Sequence, residues 1–293
     1  MKIAIFGILP FSDLIKEGFK KLDHEISNED PDLIYANDPT GYQDAIFLKD
    51  KHPKTNLTLN VLDIPWHFKN IEQQFKFLID RFFARANNIT TISYKIKKDL
   101  TKFFDKERHD KIKVIYNPTK DVYYDENIKK NNDFLFVGRA SDPIKRFNLV
   151  HDSLKKLNES SRTLKVCGQQ NPGFGEYLGY VSDLELNRLY NSTKYVFLPS
   201  KNEGIGLPII ESMICGSIPI ACSDNETAKE FLPNEFLCLP DPDSIVNKIK
   251  LLDKSYDDKR KLALEFGLKY KEKFNKKNIA KNILNLKKWF IFH

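Results

Sequence analysis

The chain has 293 residues, 41% of them hydrophobic and 30% charged, a globular composition that excludes a disordered polymer, a collagen-like chain and a disulfide-stapled miniprotein. Its length predicts about two domains, each large enough to bury a sizeable core. Lys plus Arg number 47 against 40 Asp plus Glu, a net charge of +7; the excess is mostly lysine spread along the chain, which fits either a solvated surface or a basic face toward anionic lipid or an anionic polymer.

Short apolar runs alternate with amphipathic stretches. Lys2–Gly7 reads as a strand and Asp13–Leu22 as a helix. Leu33–Ala36 is a short strand, Gln43–Lys51 a helix, and Asn56–Leu62 a strand that stops near Pro65. In His67–Ala86, Phe68, Ile71, Phe75, Leu78, Ile79, Phe82 and Phe83 recur at helical spacing. Strand Ile89–Ile92, helix Ser93–Phe104 and strand Lys113–Tyr116 complete the first half, and Asn117-Pro118 breaks the pattern. Residues 118–132 are polar and poor in aliphatics and read as an interdomain linker.

The alternation restarts with strand Phe134–Val137, helix Arg146–Leu157 and strand Leu164–Cys167. Strand Leu178–Val181, helix Asp183–Asn191 and strand Tyr195–Leu198 follow. Helix Pro208–Ile214, strand Ile218–Cys222 and the short strand Phe236–Leu239 come next, and helices run to the end. Repeated β-α units imply an α/β fold with two Rossmann-like domains, each a parallel sheet covered by helices. Ligands in such folds bind at the carboxyl ends of strands, and a cleft between two such units is the default site.

No run reaches the roughly 18 apolar residues that span a bilayer, and the N-terminus reads as a first strand rather than a signal peptide. Cys167, Cys215, Cys222 and Cys238 show no CxxC and no nearby His. They read as buried free thiols of a reducing cytosol.

The densest chemistry lies in Pro199-Ser200-Lys201-Asn202-Glu203-Gly204-Ile205-Gly206-Leu207-Pro208-Ile209-Ile210-Glu211-Ser212-Met213. A strand ends at Pro199, two glycines flank Ile205, and a helix begins near Pro208, a residue favoured in a first helical turn. Such a turn exposes backbone N–H groups and the positive end of a helix dipole, a ready phosphate site. The Glu203 and Glu211 carboxylates fall at one mouth of the sheet, far enough apart to touch different parts of one ligand. Carboxylates accept from vicinal hydroxyls, so the pattern suggests a sugar nucleotide. Upstream, Arg139 follows a strand and Lys145 opens the next helix. A guanidinium plus an ammonium can neutralise a diphosphate and stabilise it as a leaving group. Arg146 adjoins Lys145 and either substitutes for it or faces solvent.

The run Glu-Gly-Ile-Gly-Leu-Pro-x-x-Glu-Ser-Met resembles the signature of retaining GT-B glycosyltransferases, glycosyltransferase family 4 (glycosyl transferases group 1). Phe136-Val137-Gly138-Arg139 with Lys145, Leu164–Gly168, Gly179–Ser182 with Leu189-Tyr190, Glu230, Pro240 and Asp241 are similar to further segments of that family. The likeness is strong over residues 134–250; over 1–118 it is weak but ordered, through Ser93 and Lys113–Pro118. It implies a first, acceptor-side domain over 1–122, a donor domain over 123–275, and a helix over 276–293 crossing back to the first domain, the two sheets facing across a cleft. The last segment carries Ile279, Ile283, Leu284, Leu286, Trp289 and Phe290, which also suit a membrane-surface segment.

The resemblance assigns donor-diphosphate binding to Arg139 and Lys145. Gly204, Ile205, Gly206 and Leu207 offer backbone N–H groups to phosphate and sugar, and Glu211 accepts from the ribose. Glu203 orients the transferred sugar, as an electrostatic residue rather than a nucleophile, in a front-face route where a phosphate oxygen takes the acceptor's proton.

The first half departs from the family. Gly7-Ile8-Leu9-Pro10-Phe11-Ser12 replaces a glycine pair, and Leu62-Asp63 replaces His-Asp, with His67 four residues beyond. His67 is a second catalytic candidate, through a sugar-hydroxyl contact; a helix-start residue is the plain alternative. Asp241-Pro242-Asp243 spells DxD but opens a helix, where capping explains it.

The expected function is transfer of a sugar, with retention, from a nucleotide sugar to a glycan, lipid-linked or small-molecule acceptor. No metal or cofactor is expected beyond the donor substrate. The expected location is cytoplasmic or the inner face of a membrane, with peripheral membrane contact if the acceptor is lipid-linked. A nucleotide-sugar epimerase, a sugar-phosphate synthase and a non-catalytic sugar-nucleotide-binding module are the rivals. Nucleic acid is not an expected partner, because the charge is diffuse.

Overall fold

The computed structural model describes residues 1–7, 11–64, 71–159 and 161–288. The chain divides into two compact units, one formed by Met1–Thr119 with Lys273–His293 and the other by Lys120–Glu272.

The first unit contains β1 (Lys2–Phe6), α1 (Phe11–Lys20), β2 (Glu25–Ile26), β3 (Leu33–Ala36), α2 (Tyr42–Lys51), β4 (Asn56–Val61), α3 (Ile71–Arg81), β5 (Asn88–Thr91), α4 (Tyr94–Leu100) and β6 (Ile112–Val114). The six strands are parallel, in the order β2-β1-β3-β4-β5-β6. One face buries Ala4, Ile34, Leu57, Leu59 and Ile89 beneath α2, α3 and α4. The other buries Ile3, Ile5, Leu33 and Tyr35 with Ile15 and Phe19 of α1.

On β4, alternate positions carry Asn56, Thr58 and Asn60, all buried. They pair across strands, with Asn88 Nδ2 donating to Asn56 Oδ1 at 3.0 Å and Thr90 Oγ1 to Asn60 Oδ1 at 2.8 Å. A buried polar side chain costs little once it is hydrogen-bonded, so this strand buries a polar stripe whose alternation in sequence would suit a solvent-facing side.

The second unit contains β7 (Asn132–Val137), α5 (Phe147–Leu157), β8 (Leu164–Cys167), β9 (Glu176–Gly179), α6 (Asp183–Ser192), β10 (Thr193–Leu198), α7 (Leu207–Ile214), β11 (Ile218–Cys222), α8 (Glu226–Phe231), β12 (Leu237–Cys238), α9 (Pro242–Lys254) and α10 (Tyr256–Lys273). Its six strands are also parallel, in the order β12-β11-β10-β7-β8-β9. The strands read as near-continuous apolar runs because both faces are covered; Phe134, Phe136, Val166, Val196, Phe197 and Ile220 are all buried. The order turns outward in both directions from the β7/β10 pair. Adjacent loops there diverge to opposite sides of the sheet, which leaves a crevice at the strands' carboxyl ends.

The sequence places a strand at Leu178–Val181, but β9 occupies Glu176–Gly179; Gly179 adopts φ +71° and ends it. The short β2 and the helix α8 have no counterpart in the sequence reading. Within residues 118–132, read as the interdomain linker, the stretch 120–131 packs onto the second unit. Asn191 and Asn187, one turn apart on α6, hold the backbone of Tyr124 and Glu126 at 2.7–3.3 Å. Tyr123 packs edge-on against Tyr190. The buried Lys130 ammonium donates to the carbonyls of Tyr190 at 3.0 Å and Cys215 at 2.8 Å.

The final helix α11 (Lys276–Lys288) packs against α1, adding Ile279, Ala280, Ile283 and Leu286 to the first unit's core. Trp289 and Phe290 lie outside the described residues. The four cysteines are buried and unbridged.

Candidate active site

The two strands at the switch point deliver the two loops that the sequence singles out. β7 leads into residues 138–146 and β10 into residues 199–206. The first loop leaves through Gly138, which comes so close to the neighbouring strand that a Cβ on Gly168 would lie 2.1 Å from the Gly138 carbonyl oxygen. The loop then turns through Asp142, whose carboxylate caps a 3₁₀ turn over Pro143–Lys145 by accepting from Ile144 N at 3.0 Å. The backbone N–H of Lys201 donates to the Ile144 carbonyl at 2.9 Å, so the loops are sewn together.

Lys145 Nζ donates to Glu203 Oε1 at 2.6 Å, and both side chains are largely buried. Arg139 is mostly exposed and donates through Nη2 to Asp142 Oδ2 at 2.8 Å. Burial pushes the Asp142 carboxyl up, but the Arg139 guanidinium and the Ile144 amide outweigh it and hold the group below its ordinary value. Arg146, with φ +48°, forms a two-pronged pair with Asp224, at 3.0 Å and 2.6 Å. This pair braces the loop after β11. That loop is also tied down by Asn225, which caps α8 and donates to the Ser200 carbonyl, and by Thr227, which donates to the Glu203 carbonyl at 2.7 Å.

The glycine-rich turn ends at Gly206, which precedes α7 in the left-handed conformation, φ +71°. A side chain there would be strained. Among the described residues, the N–H groups of Gly204, Ile205 and Gly206 have no acceptor, while Ile205 itself is buried and anchors the turn. Leu207 and Pro208 open α7. Unpaired amides at a helix N-terminus favour anions.

Glu211 lies one turn inside α7, is 8% exposed, and accepts from the Tyr190 hydroxyl at 3.1 Å through Oε2. Burial lifts its carboxyl to about 7; the Tyr190 hydrogen bond and the charge of Lys120 oppose the lift. The structure thus brings Arg139, Lys145, Glu203 and the Gly204–Leu207 turn to the ends of β7 and β10, while Glu211 lies further along α7 against Tyr190 of α6. His67 lies outside the described residues.

Sequence reasoning missed the Asp142 brace, the Arg146–Asp224 pair and the Tyr190–Glu211 contact. Only Asp142 had a local signal, an Asp-Pro just before a turn. The DxD pair is separated in role. Asp241 caps α9 by accepting from Ser244 N at 2.8 Å, and Asp243 pairs with Lys156 at 2.7 Å. Among the described residues no cluster of His, Cys, Asp and Glu has the arrangement to hold a metal ion.

Residues 131–254 match the family model of glycosyl transferases group 1. Over 197 residues, 61% of its length, the chain is 30% identical to the O-antigen chain mannosyltransferase RfbU of Salmonella typhimurium, of which it covers 55%. Over 114 residues, 39% of the chain, it is 33% identical to O-antigen chain mannosyltransferase B of Escherichia coli, of which it covers 30%. The chain thus spans about half the length of the first relative and a third of the second. The crystal structure of Anabaena Alr3699/HepE in complex with UDP and glucose superposes over 97% of this chain and 98% of that one, with a TM-score of 0.74 at 18% identity. The two-sheet α/β architecture is that of GT-B glycosyltransferases.

Proposed function

We propose that the chain is a glycosyltransferase that moves a hexose from a nucleoside-diphosphate donor to an acceptor hydroxyl, with retention of anomeric configuration and without a metal ion. The observation that carries this reading is the convergence of Arg139, Lys145, Glu203 and the unpaired Gly204–Gly206 amides at the β7/β10 switch point. It falls within the segment that matches the glycosyl transferases group 1 model. UDP suits the donor nucleotide by analogy with the HepE complex. Mannose and a glycan acceptor suit the substrates by analogy with the O-antigen enzymes.

Arg139 and Lys145 bind the diphosphate and offset the charge that grows on it as the glycosidic bond breaks. The Gly204–Leu207 amides add neutral donors to phosphate and sugar. Glu203 lies against the transferred sugar, where its charge opposes the positive charge developing at the anomeric carbon. Glu211 accepts from the ribose. In this reading the acceptor attacks the face from which the diphosphate departs, and a diphosphate oxygen removes its proton. A lipid-linked acceptor would bring the lysine-rich surface to the inner face of a membrane by ordinary electrostatics. No helix among the described residues is long and apolar enough to cross a membrane.

The test is a thermal-shift panel of nucleoside diphosphates and nucleotide sugars, because a specific ligand raises apparent stability by mass action. Calorimetry and release of nucleoside diphosphate from the best donor then follow. A rise in melting temperature confined to one nucleotide family, lost in Lys145→Ala, supports the reading. No response to any nucleotide sinks it.

A further inference from the structure

We infer that Tyr190 is a positioning residue for the donor ribose: its hydroxyl occupies Oε2 of Glu211 and leaves Oε1 as the oxygen that receives the nucleotide's sugar hydroxyl. The inference rests on the reading of Glu211 as the ribose acceptor and goes beyond it by assigning how that carboxylate is held.

The geometry is specific. Tyr190 is fully buried on α6, and its hydroxyl donates to Glu211 Oε2 at 3.1 Å. The tyrosine cannot swing away. Its ring packs edge-on against Tyr123, and its carbonyl accepts from Lys130 at 3.0 Å and Ser217 at 2.5 Å. Among the described residues Glu211 Oε1 has no hydrogen-bond partner, and it is not one of the buried orphan atoms. A carboxylate with one oxygen pinned presents the other in a fixed direction, so less ordering remains to be done when a ligand arrives.

The same contact favours the charged form of Glu211. An O–H donor stabilises a carboxylate, whereas burial destabilises it. The groups facing Glu211 are Tyr190 and Asp183 of α6, Lys120 and Tyr123 of the 120–131 segment, and Cys215 at the end of its own helix. Lys120 alone is cationic, and it is itself paired with Asp183 at 2.6 Å. Tyr190 is therefore the direct support for the ionised carboxylate.

The readout is the ratio of affinities for UDP and for 2′-deoxy-UDP and 3′-deoxy-UDP, measured by calorimetry on the full chain between pH 5.5 and 8.5. Titration of the terminal phosphate cancels in the ratio, so the ratio reports the ribose contact. The parent chain should prefer UDP over at least one deoxy analogue by about tenfold or more at pH 8, and the preference should fade as pH falls through about 7. Tyr190→Phe keeps the ring and removes the donor. It should cut the preference by about three- to tenfold at pH 8 and move the fading point to higher pH. If that variant does not fold, 3-fluorotyrosine placed at position 190, a stronger donor, should move the fading point to lower pH. Glu211→Gln should show no pH-dependent preference. A preference that depends on Glu211 but is unchanged in both its size and its pH profile by either alteration of Tyr190 overturns the inference alone. Absence of any preference in the parent chain overturns the ribose reading and the inference together.

Discussion

Lys145 Nζ and Glu203 Oε1 meet at 2.6 Å, although 58 residues separate them in sequence. One is assigned to the donor's diphosphate and the other to its sugar, so a donor must part them or slide between them. In the proposed mechanism diphosphate competes with Glu203 for the same ammonium. Removing that competitor should affect binding and turnover in opposite directions. Glu203→Gln should bind UDP at least as tightly as the parent chain, while its kcat falls by on the order of 10²–10³ from loss of one preorganised charge. Calorimetry beside steady-state kinetics reads both, and normal turnover removes Glu203 from the chemistry.

Lys145→Ala and Arg139→Ala should each weaken UDP binding by about 1.5–3 kcal/mol, as expected for a charge-assisted hydrogen bond. Lys145→Ala should cost more than its lost contact with Glu203 would suggest, because the unpaired carboxylate then repels the diphosphate. Unchanged affinity in both variants would falsify the clamp.

Turnover should persist in excess EDTA. In the proposed mechanism the two cations and the open amides carry the charge stabilisation that a divalent ion supplies in other transferases. Asp241 and Asp243 already have a helix cap and an ion pair to serve. Loss of activity in the chelator, restored by manganese, would revive them.

The buried Glu211 carboxylate should cost the folded chain stability at neutral and alkaline pH. Its carboxyl is raised to about 7 in the folded protein, against 4.5 when unfolded. A raised acid contributes stability at low pH and loses it as pH climbs through the folded value. Glu211→Gln should therefore raise Tm at pH 8, and the gain should shrink toward pH 5. A gain of roughly 2–4 °C per kcal/mol is expected for a domain of this size. Scanning calorimetry at the two pH values checks it, and a Tm lower than the parent's at pH 8 contradicts it.

Lys130 has the opposite sign. Burial depresses its ammonium to about 8, with the nearby Arg260 guanidinium adding to the shift. The unfolded chain then holds more protons than the folded one between about pH 8 and the ordinary lysine value, so stability should rise across that window. Lys130→Met should abolish the rise. It should also destabilise the chain at pH 7, by removing the Lys130 hydrogen bond to the Cys215 carbonyl and one of those to the Tyr190 carbonyl. Equal pH dependence in parent and variant, followed by denaturant unfolding, would show that Lys130 does not drive it.

The alternating architecture was legible because strands covered on both faces are written as apolar runs, as in Tyr195–Leu198 and Ile218–Cys222. The turn at Gly204–Leu207 was legible because its chemistry is local. What failed was what depends on sheet order. The pairs Lys145–Glu203 and Arg146–Asp224 exist because β7 is flanked by β10 and β10 by β11, a neighbourhood that no local pattern encodes. The packing of residues 120–131 was not legible for another reason. Their packing relies on one tyrosine, one buried lysine and backbone groups held by Asn187 and Asn191, while composition registers only that the stretch is polar.

The return of α11 to the first unit sets an order of events on the ribosome. Residues 120–272 are contiguous and can fold as soon as they emerge. The first unit is made earlier but lacks Ile279, Ala280, Ile283 and Leu286 on one face of its sheet until those residues appear. The half synthesised first is thus the half that closes last, against the usual N-to-C sequence of domain folding during translation. Throughout that interval α1 shows a bare apolar flank to the cell. A chain truncated after Glu272 should therefore bind holding chaperones through its first unit while its second unit resists protease.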